Sequence, residues 1–372
     1  MTGEQLREVA ILGAGNGGCA AAADLGRRGY RVRLWSRSEA RVAPIREAGG
    51  IAFAGALGEG SQPLDVVTTD IAAAMDGADL VVIMVPTQAH EALARLVAPH
   101  LAAGQVLMVS PGHTLVLVPQ TLRRCGIPNP VTCETGTLPY ICRMDGPARV
   151  RITQPSRHQA FAAFPAAETE RLASLVRPVF PMIRPVASVL DTVFPYTNAI
   201  HHPPAFLCNA GRVESTGGDF YHYYDGITPS VGRLIDRLDG ERLAVARALG
   251  CDPAPLPEHF LRMGYTTEAA RDSGLACEVF HQSAADRWIR APSTLEYRFF
   301  TEDVPYGLVP LSELGRVAGV ATPAIDAMIV VCSALMGRDF RAEGLTLERV
   351  GLAKLSLGAL QSILRDGFGD KG

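Results

Sequence analysis

Residues 9–18 read VAILGAGNGG, a short apolar run that ends in a cluster of glycines. The run is typical of a buried strand, and the segment CAAAADLGRRG at 19–29 is typical of a helix that stops at Gly29. Gly13, Gly15 and Gly18 form a GxGxxG pattern at this strand-to-helix turn. Such a pattern is weak on its own, but its position between a strand and a helix makes it specific.

The turn has the properties of a dinucleotide-binding loop. Gly13 permits a tight turn, Gly15 lets the backbone approach a pyrophosphate, and Gly18 lets the helix pack closely. The helix N-terminus adds free N–H groups and the positive end of a dipole. We therefore expect the whole loop to bind the cofactor, namely Gly13, Ala14, Gly15, Asn16, Gly17 and Gly18. A later strand ends at Val85 and Pro86, which we expect to lie beside the nicotinamide half of a bound nicotinamide dinucleotide.

Strand and helix patterns alternate from this loop to about residue 188. Apolar strand candidates such as LVVIMVP at 80–86 and VLMVSPG at 106–112 flank the helical segment HEALARLVAPHLAAG at 90–104. This alternation predicts an α/β fold whose amino-terminal part is a doubly wound parallel sheet of the Rossmann type.

The pattern changes beyond residue 188. Apolar residues recur at helical spacing over 231–250 and 323–337, and the clearest strand candidate is LEYRFFTEDV at 295–304. The sequence therefore predicts a dinucleotide-binding domain over 1–188 and a mainly α-helical catalytic domain over 189–372.

The bulk composition argues against several classes of partner. The chain has 372 residues, too many for one ordinary core, and 48% are hydrophobic. A net charge of −3 gives no electrostatic reason to expect nucleic acid or an anionic membrane. No secretion signal is indicated, and no apolar run approaches the roughly 20 residues needed to cross a bilayer. Eight cysteines without CxxC pairs are typical of reduced thiols in a cytoplasmic protein.

The end of the second strand bears on the choice of dinucleotide. Ser36 stands in LWSRSEAR at 34–41, where NAD-binding proteins usually carry an acid, with Arg37 and Arg41 close by. Guanidinium groups match phosphate oxygens, so this segment favours NADP(H), with NAD(H) possible. The alternative is that both arginines simply coat a solvated helix start.

The stretch YTNAIHHPPAFLCN at 196–209 places two histidines before two prolines. The residue before a proline is biased away from helical dihedrals, so we expect His202 at a kink or helix start. Asn198 lies four residues earlier and could share its face. A zinc site is not indicated, because nearby Cys208 has no ligand-like spacing, and we predict no metal. A structural histidine is the alternative.

Two later segments carry polar residues suited to the same site. YYDGITPSVG at 223–232 contributes tyrosines, of which Tyr224 is a candidate substrate contact. RFFTEDV at 298–304 contributes Arg298 and Asp303. A guanidinium suits a substrate carboxylate, and a carboxylate suits the back of an imidazole. The alternative is that Arg298 and Asp303 pair with each other on the surface.

The ordered set of segments resembles the opine dehydrogenase family, which includes the octopine and nopaline dehydrogenases and the bacterial N-(carboxyethyl)amino-acid dehydrogenases. The matching segments span nearly the whole chain: GAGNGG, CETGTLPYICR, NAIHHP, LCNAGRVE, YYDGITPSVG, RFFTEDV and GLVPLSELG. The resemblance implies a dinucleotide domain and a helical domain with the active site in the cleft between them. It also implies reductive condensation of a 2-keto acid, commonly pyruvate, with the amino group of an amino acid.

The resemblance assigns roles to three side chains. The family's catalytic histidine precedes a proline, which corresponds to His202, and its arginine and aspartate correspond to Arg298 and Asp303. Two features depart from the family pattern: Ser36 replaces the acid of NADH-using members, and His201 doubles the histidine.

The sequence leaves two other functions open. A ketone or 2-hydroxy acid reductase of the glycerol-3-phosphate or ketopantoate type shares the amino-terminal half, although the NAIHHPP segment lacks the lysine usual in those families. A non-catalytic dinucleotide sensor is the second alternative. The apolar segment MIVVCSALM at 328–336 favours a homodimer.

Overall fold

A computed structural model describes residues 6–369, which fall into two compact units. The first unit runs to Val193 and includes the segment from Gln361 onward, and the second is Phe194–Leu360. The compact units divide after Val193. The boundary between functional domains that the sequence places between residues 188 and 189 remains a prediction.

The first unit is built on two sheets. The larger has eight strands in the order β12-β11-β8-β7-β6-β1-β2-β5, and the smaller has the order β4-β3-β10-β9. The strands are β1 Glu8–Leu12, β2 Arg31–Trp35, β3 Gly50–Gly55, β4 Gly60–Pro63, β5 Val66–Thr68, β6 Leu80–Ile83, β7 Val106–Val109, β8 Thr132–Thr135, β9 Tyr140–Met144, β10 Arg149–Pro155, β11 Gln159–Phe164 and β12 Ile183–Pro185.

Helices cover both faces of the larger sheet. They are α1 Asn16–Arg27, α2 Glu39–Glu47, α3 Ile71–Met75, α4 His90–Val97, α5 Leu117–Arg124, α6 Thr169–Val176 and α7 Leu190–Val193, with short 3-10 turns at Thr87–Ala89, Ala98–His100 and Ala166–Glu168. Successive residues of β1 point to opposite faces: Val9 and Ile11 join one core cluster, and Ala10 and Leu12 join the other. This arrangement confirms the predicted Rossmann-type doubly wound sheet.

The sheet differs from the prediction in one respect. Its strands pair in parallel except where β11 lies antiparallel to β8. The smaller sheet, in which β10 pairs with β3, was also not expected. The sequence motif between Cys133 and Arg143 therefore contributes to both sheets, through β8 and β9.

The second unit is mainly helical, as predicted. Its helices are α8 Asn198–Cys208, α9 Ala210–Thr216, α10 Pro229–Ala248, α11 Leu256–Arg262, α12 Glu268–Ser273, α13 Ala276–His281, α14 Arg298–Thr301, α15 Val309–Ala318, α16 Pro323–Met336 and α17 Phe340–Glu343, followed by α18 Leu357–Asp366, which spans the unit boundary. The strand expected over 295–304 is wrong, because this segment forms α14 and runs into a π-helical turn, Val304–Leu308.

A helix start at His202 is also wrong, because α8 begins four residues earlier, at Asn198. Helix α8 continues through Pro203 and Pro204, although each proline removes one intrahelical hydrogen bond at a cost of about 3 kcal/mol. Every residue from Ala199 to Phe206 is buried, and α8 packs against α10 and α14. Burial of this apolar segment outweighs the local preference.

Among residues 6–369, no helix combines the length and the hydropathy needed to span a membrane.

Candidate active site

The glycine loop follows β1, and its three glycines meet different surroundings. Gly13 has a φ of 138°, and a Cβ there would lie 2.3 Å from the Met84 carbonyl oxygen. A Cβ on Gly18 would lie 1.6 Å from the Gly13 carbonyl oxygen. A Cβ on Gly15 would meet nothing within 4 Å. Gly13 and Gly18 are therefore required by the protein's own packing, whereas Gly15 leaves open space beside the loop.

The open space lies at the N-terminus of α1. Gly15 is the N-cap residue and supplies no side chain to the first N–H groups of the helix. Ala14 and Gly17 are buried, and the Asn16 side-chain oxygen accepts a hydrogen bond from the Met144 N–H at 2.9 Å. Free N–H groups, a positive dipole end and the space at Gly15 fit a pyrophosphate. The residues present thus fit a dinucleotide.

The end of β2 carries the residues expected to select the dinucleotide. Ser36 is nearly buried, and its Oγ accepts a hydrogen bond from the Ser38 N–H at 3.3 Å. Arg37 and Arg41 are exposed, and within residues 6–369 neither side chain forms an ion pair or hydrogen bond. Two uncommitted guanidinium groups beside a small hydroxyl fit a ribose phosphate.

Val85 and Pro86 lie just beyond the end of β6, separated from Ile83 by Met84. Val85 is half-buried, and one of its methyl carbons lies 2.9 Å from the Cβ position of Gly13. Pro86 is exposed. Val85 therefore borders the glycine loop directly.

His202 lies at the centre of a buried network in the second unit. Its Nδ1 is 2.8 Å from Asp303 Oδ2, and its Nε2 is 2.8 Å from the Tyr223 hydroxyl. The Tyr196 hydroxyl donates to Asp303 Oδ1. One proton arrangement satisfies all of these contacts: Nδ1–H donates to Asp303, while Nε2 accepts from Tyr223.

The network extends to Arg298. This guanidinium hydrogen-bonds the Tyr196 side chain and lies 3.4 Å from Glu302 Oε2. Asp303 is fully buried, whereas the Arg298 side chain is 49% exposed. The surface pairing of Arg298 with Asp303 considered above is therefore wrong, because Tyr196 links the two groups and Asp303 is bound to His202.

Burial perturbs both members of the central pair. It raises the pKa of the Asp303 carboxyl to about 7, although Arg298 and the Tyr196 hydroxyl lower it. Burial, with a contribution from Arg298, lowers the pKa of the His202 imidazole well below its ordinary value. The pKa of the carboxyl is raised and that of the imidazole is lowered, and two groups in such close contact share their titration. The pair can therefore hold or release one proton near neutral pH.

Aromatic side chains fix the orientation of the His202 ring. Phe299 stacks on it with a centroid separation of 4.0 Å. The His201 ring lies 4.4 Å away but packs edge-on against Phe260 and close to Phe280, without touching Asp303. The two adjacent histidines are thus in contact but have different partners, and only His202 joins the carboxylate.

The remaining predicted substrate residues lie outside the hydrogen-bonded network. Asn198 begins α8, and its side chain forms no hydrogen bond to any residue in 6–369. Tyr224 is 40% exposed and follows Tyr223 directly in the chain.

Sequence reasoning missed three polar groups. Tyr196 and Tyr223 lie within the quoted motifs, but only packing shows that their hydroxyls face Asp303 and His202. Glu134 lies within β8 in the first unit, where burial raises its pKa to about 8. Its carboxyl contacts the Thr192 hydroxyl and accepts a 3.3 Å hydrogen bond from the His113 N–H. An acidic residue in the otherwise largely uncharged segment CETGTLPYICR was the sequence feature that could have identified Glu134.

Two family models match the chain. Residues 185–336 match the α-helical domain of the NAD/NADP octopine/nopaline dehydrogenases. Residues 8–112 match the N-terminus of the NAD-dependent glycerol-3-phosphate dehydrogenases, a match that covers the nucleotide-binding half and leaves the His202 network outside it. The reductase alternative is therefore not favoured.

Full-length relatives agree with the first model. The opine dehydrogenase of Arthrobacter sp. (strain 1C) is 36% identical over 358 residues, which cover 96% of this chain and 98% of that protein. The structure of octopine dehydrogenase with NADH and agmatine superposes with a TM-score of 0.76 at 20% identity, over 96% of this chain and 98% of that one. Yersinopine dehydrogenase bound to NADP+ gives 0.71 at 15% identity over 98% of each chain. At these identities the structural likeness bears on the fold alone.

Proposed function

Because this chain belongs to the opine dehydrogenase family of NAD(P)-dependent oxidoreductases, we propose that it condenses a pyruvate-like 2-keto acid with the amino group of an amino acid. The product is a secondary amine dicarboxylate, and the reverse reaction oxidises it. The observation that carries this proposal is the buried alignment of Asp303, His202 and Tyr223, with 2.8 Å contacts on both ring nitrogens.

The condensation needs one group that can both accept and donate a proton. The attacking amine must be deprotonated, and the departing hydroxyl must gain a proton for water to leave and the imine to form. The His202–Asp303 pair supplies both functions near neutral pH, because it holds a single exchangeable proton. A bound NAD(P)H supplies the hydride that reduces the imine carbon.

Asp303 and the two tyrosines position the imidazole. Asp303 holds Nδ1 in its protonated form and stabilises the imidazolium when it forms. Tyr196 donates to the other carboxylate oxygen and so fixes the plane of the carboxyl group. The Tyr223 hydroxyl is hydrogen-bonded to His202 Nε2, the nitrogen that must exchange a proton with the substrate. During the reaction the hydroxyl must therefore move away from Nε2 or relay the proton.

Arg298 is the proposed partner of the keto acid carboxylate. Its guanidinium is half-exposed, so donors beyond those facing Glu302 and Tyr196 are accessible. A guanidinium binds a carboxylate with two parallel hydrogen bonds and fixes its orientation, which contributes to the proximity of the reacting atoms. Asn198 and Tyr224 are proposed to contact the substrate, as their side chains are available at the helix start and at the surface.

NADP(H) is the favoured cofactor, and NAD(H) is possible. The support comes from the uncommitted Arg37 and Arg41 and from the absence of a carboxylate at Ser36. Ser36→Asp places a negative charge where a 2′-phosphate would lie, so we expect the ratio of kcat/KM for NADPH to that for NADH to fall about tenfold or more. An unchanged ratio would refute this assignment.

Quaternary structure and location complete the proposal. Helix α16 exposes the apolar side chains of Val330, Val331 and Leu335, which supports a homodimer. The eight free cysteines support a cytoplasmic location. Light scattering on the purified protein measures the oligomeric state directly.

One assay tests the activity. NADPH absorbance is followed with keto acid alone, with amine alone and with both, over panels of each, and the product is weighed by mass spectrometry. Oxidation that requires both partners and yields their reduced condensation product is expected. Oxidation with keto acid alone would indicate a ketone reductase, and tight cofactor binding without any turnover would indicate a sensor.

A further inference from the structure

Arg287 lies in an aromatic patch at the surface of the second unit, which we define by Tyr224, His281, Arg287 and Trp288. The Arg287 guanidinium lies 5.1 Å from the ring centroid of Tyr224 and 4.5 Å from that of Trp288. The His281 ring lies 5.2 Å from Tyr224 on the same patch. Tyr224 and Trp288 are 40% and 54% exposed, which is unusual for such large apolar rings and marks a binding surface.

The polar groups of this patch have no partners in the described part of the chain. The Nε atom of Arg287 is buried without a hydrogen bond, and the guanidinium forms no ion pair with any carboxylate in residues 6–369. His281 Nε2 is likewise buried without a hydrogen bond. A donor without an acceptor is costly, and Arg287 as a whole is only partly buried, so an anion can approach its guanidinium and form charge-assisted hydrogen bonds.

A neighbouring arginine shows what a purely structural contact looks like here. Arg290 lies 4.9 Å from the Tyr221 ring centroid in the same segment, but it is neutralised by an ion pair with Asp219 at 2.5 Å. Arg290 therefore contacts both an aromatic ring and a carboxylate, whereas Arg287 contacts two aromatic rings and forms no ion pair with a carboxylate in residues 6–369. The missing component at Arg287 is the carboxylate.

The patch is connected to the proton-transfer network through adjacent residues. Tyr223, which contacts His202 Nε2, and Tyr224 are consecutive, and they pack on the consecutive residues Phe280 and His281 at 5.2 Å each. Tyr223 thus contacts His202 and Phe280 contacts His201, whereas Tyr224 and His281 belong to the patch. A substrate held by its amine near His202 could reach the patch with the rest of its structure.

We propose that Arg287 binds a carboxylate of the amine substrate, while Tyr224 and Trp288 pack against its hydrocarbon portion. This inference rests on the proposed function and assigns to Arg287 the recognition of a carboxylate on the second substrate. The carboxylate could be the one next to the amino group or one in the side chain, since both present the same group to the guanidinium.

The test compares Arg287→Gln with the wild type at saturating NADPH and pyruvate. Two substrate pairs distinguish the source of the carboxylate: phenylalanine against phenethylamine, and glutamate against glutamine. Loss of a charge-assisted hydrogen bond predicts a rise of about 10- to 100-fold in KM for the amine, with kcat and the KM for pyruvate changing less than about twofold. Arg287→Lys, which keeps the charge without the planar fork, should recover part of the affinity.

The pattern of the rise identifies the carboxylate. A rise for phenylalanine, glutamate and glutamine but not phenethylamine assigns the carboxylate next to the amine, and a rise for glutamate alone assigns the side-chain carboxylate. Arg290→Gln is the matched control and should leave all four KM values within about twofold.

Two results would overturn the inference. One is an unchanged KM for every carboxylate-bearing amine in Arg287→Gln, in a variant whose melting temperature matches the wild type. The other is an equal rise for phenethylamine, which has no carboxylate. Wild-type enzyme without any amine-dependent NADPH oxidation would overturn the proposed function itself, and this inference with it.

Discussion

The glycine loop and the His202 network are two ways of building a site. The loop is six consecutive residues, 13–18, and it depends on the absence of side chains, since a Cβ on Gly18 would lie 1.6 Å from a backbone oxygen. The network is made of side chains up to 107 positions apart, and its function depends on polar atoms that burial forces to pair. Substitutions that add side-chain volume should therefore damage the glycine loop most. Substitutions that remove a proton-carrying group or its hydrogen-bond partner should damage the His202 network most.

The largest expected effect is on the network. His202→Ala should lower kcat by about 10²- to 10⁴-fold, the range for lost general acid–base catalysis, because no other group replaces the ring. The cofactor dissociation constant should be unchanged, since the loop lies in the first unit. Steady-state kinetics and fluorescence titration with NADPH measure the two quantities.

His201→Asn is the control for that prediction. His201 is also buried but does not contact Asp303. The kcat of the His201→Asn variant should therefore stay within about tenfold of the wild type. Equal losses in the two variants would mean that the pair of rings, rather than His202, carries the proton.

Asp303→Asn should lower kcat at neutral pH by about 10- to 100-fold and also move the pH profile. In the wild type, the pair holds its proton up to about pH 7, the pKa that burial gives Asp303. The condensation needs this proton, so its rate should fall as pH rises through about 7. Without the carboxylate, the proton depends on His202 alone, whose pKa burial lowers well below its ordinary value. The falling limb should therefore move to lower pH.

Profiles of kcat against pH, from about pH 5 to about pH 9, check this shift for both enzymes. The reverse reaction provides an internal comparison, because it needs the deprotonated pair and should lose rate on the acid side instead. A limb that stays at the wild-type pH in Asp303→Asn would place the titrating group elsewhere.

The two sites also differ in how far sequence could predict them. The loop, the alternation of β1 to α5 and the helical second unit follow from local patterns, because period and glycine spacing report directly on neighbours in the chain. The proximity of His202 and Asp303 was expected from the match of a carboxylate to an imidazole and from a family resemblance, because no local pattern connects residues 101 positions apart. Tyr196 and Tyr223 could not be ranked above other tyrosines, because the direction of a hydroxyl depends on tertiary packing.

The errors have a common physical cause. The helix start at His202 and the strand over 295–304 were inferred from local preference, and in both places burial in the second unit overrides it. Helix α8 keeps its prolines because its apolar residues are covered on several sides. Local rules thus hold at the glycine loop and fail around the His202 network.

Among the glycines, a matched pair separates packing from ligand space. Gly18→Ala forces a methyl into the Gly13 carbonyl and should destabilise the protein by about 3 kcal/mol, in the overpacking range. Gly15→Ala adds a methyl in open space on extended backbone, so the melting temperature should not change. Its dissociation constant for NADPH should nevertheless rise about tenfold, because the methyl occupies the space assigned to the pyrophosphate. Normal binding by Gly15→Ala would mean that the loop does not hold the dinucleotide there.

The smallest effect tests whether buried charge matters away from the network. Burial raises the pKa of Glu134 to about 8 from an ordinary value of 4.5. The Thr192 hydroxyl has one proton and also faces the Val189 carbonyl at 2.7 Å, so a protonated Glu134 can donate to it. A raised pKa means that the folded state binds the proton more tightly, so this stabilisation is complete below about pH 4.5 and is lost as pH rises through about 8.

Glu134→Gln keeps the neutral shape of the side chain but cannot ionise. Between about pH 7 and about pH 9 the wild type should therefore lose about 1 kcal/mol more of its free energy of unfolding than the variant, or about 2–4 °C in melting temperature. Melting curves of both proteins across this range check the difference. Parallel curves would show that Glu134 is already ionised in the folded protein, and the first unit would then contain a buried carboxylate that, like Asp303, needs a partner.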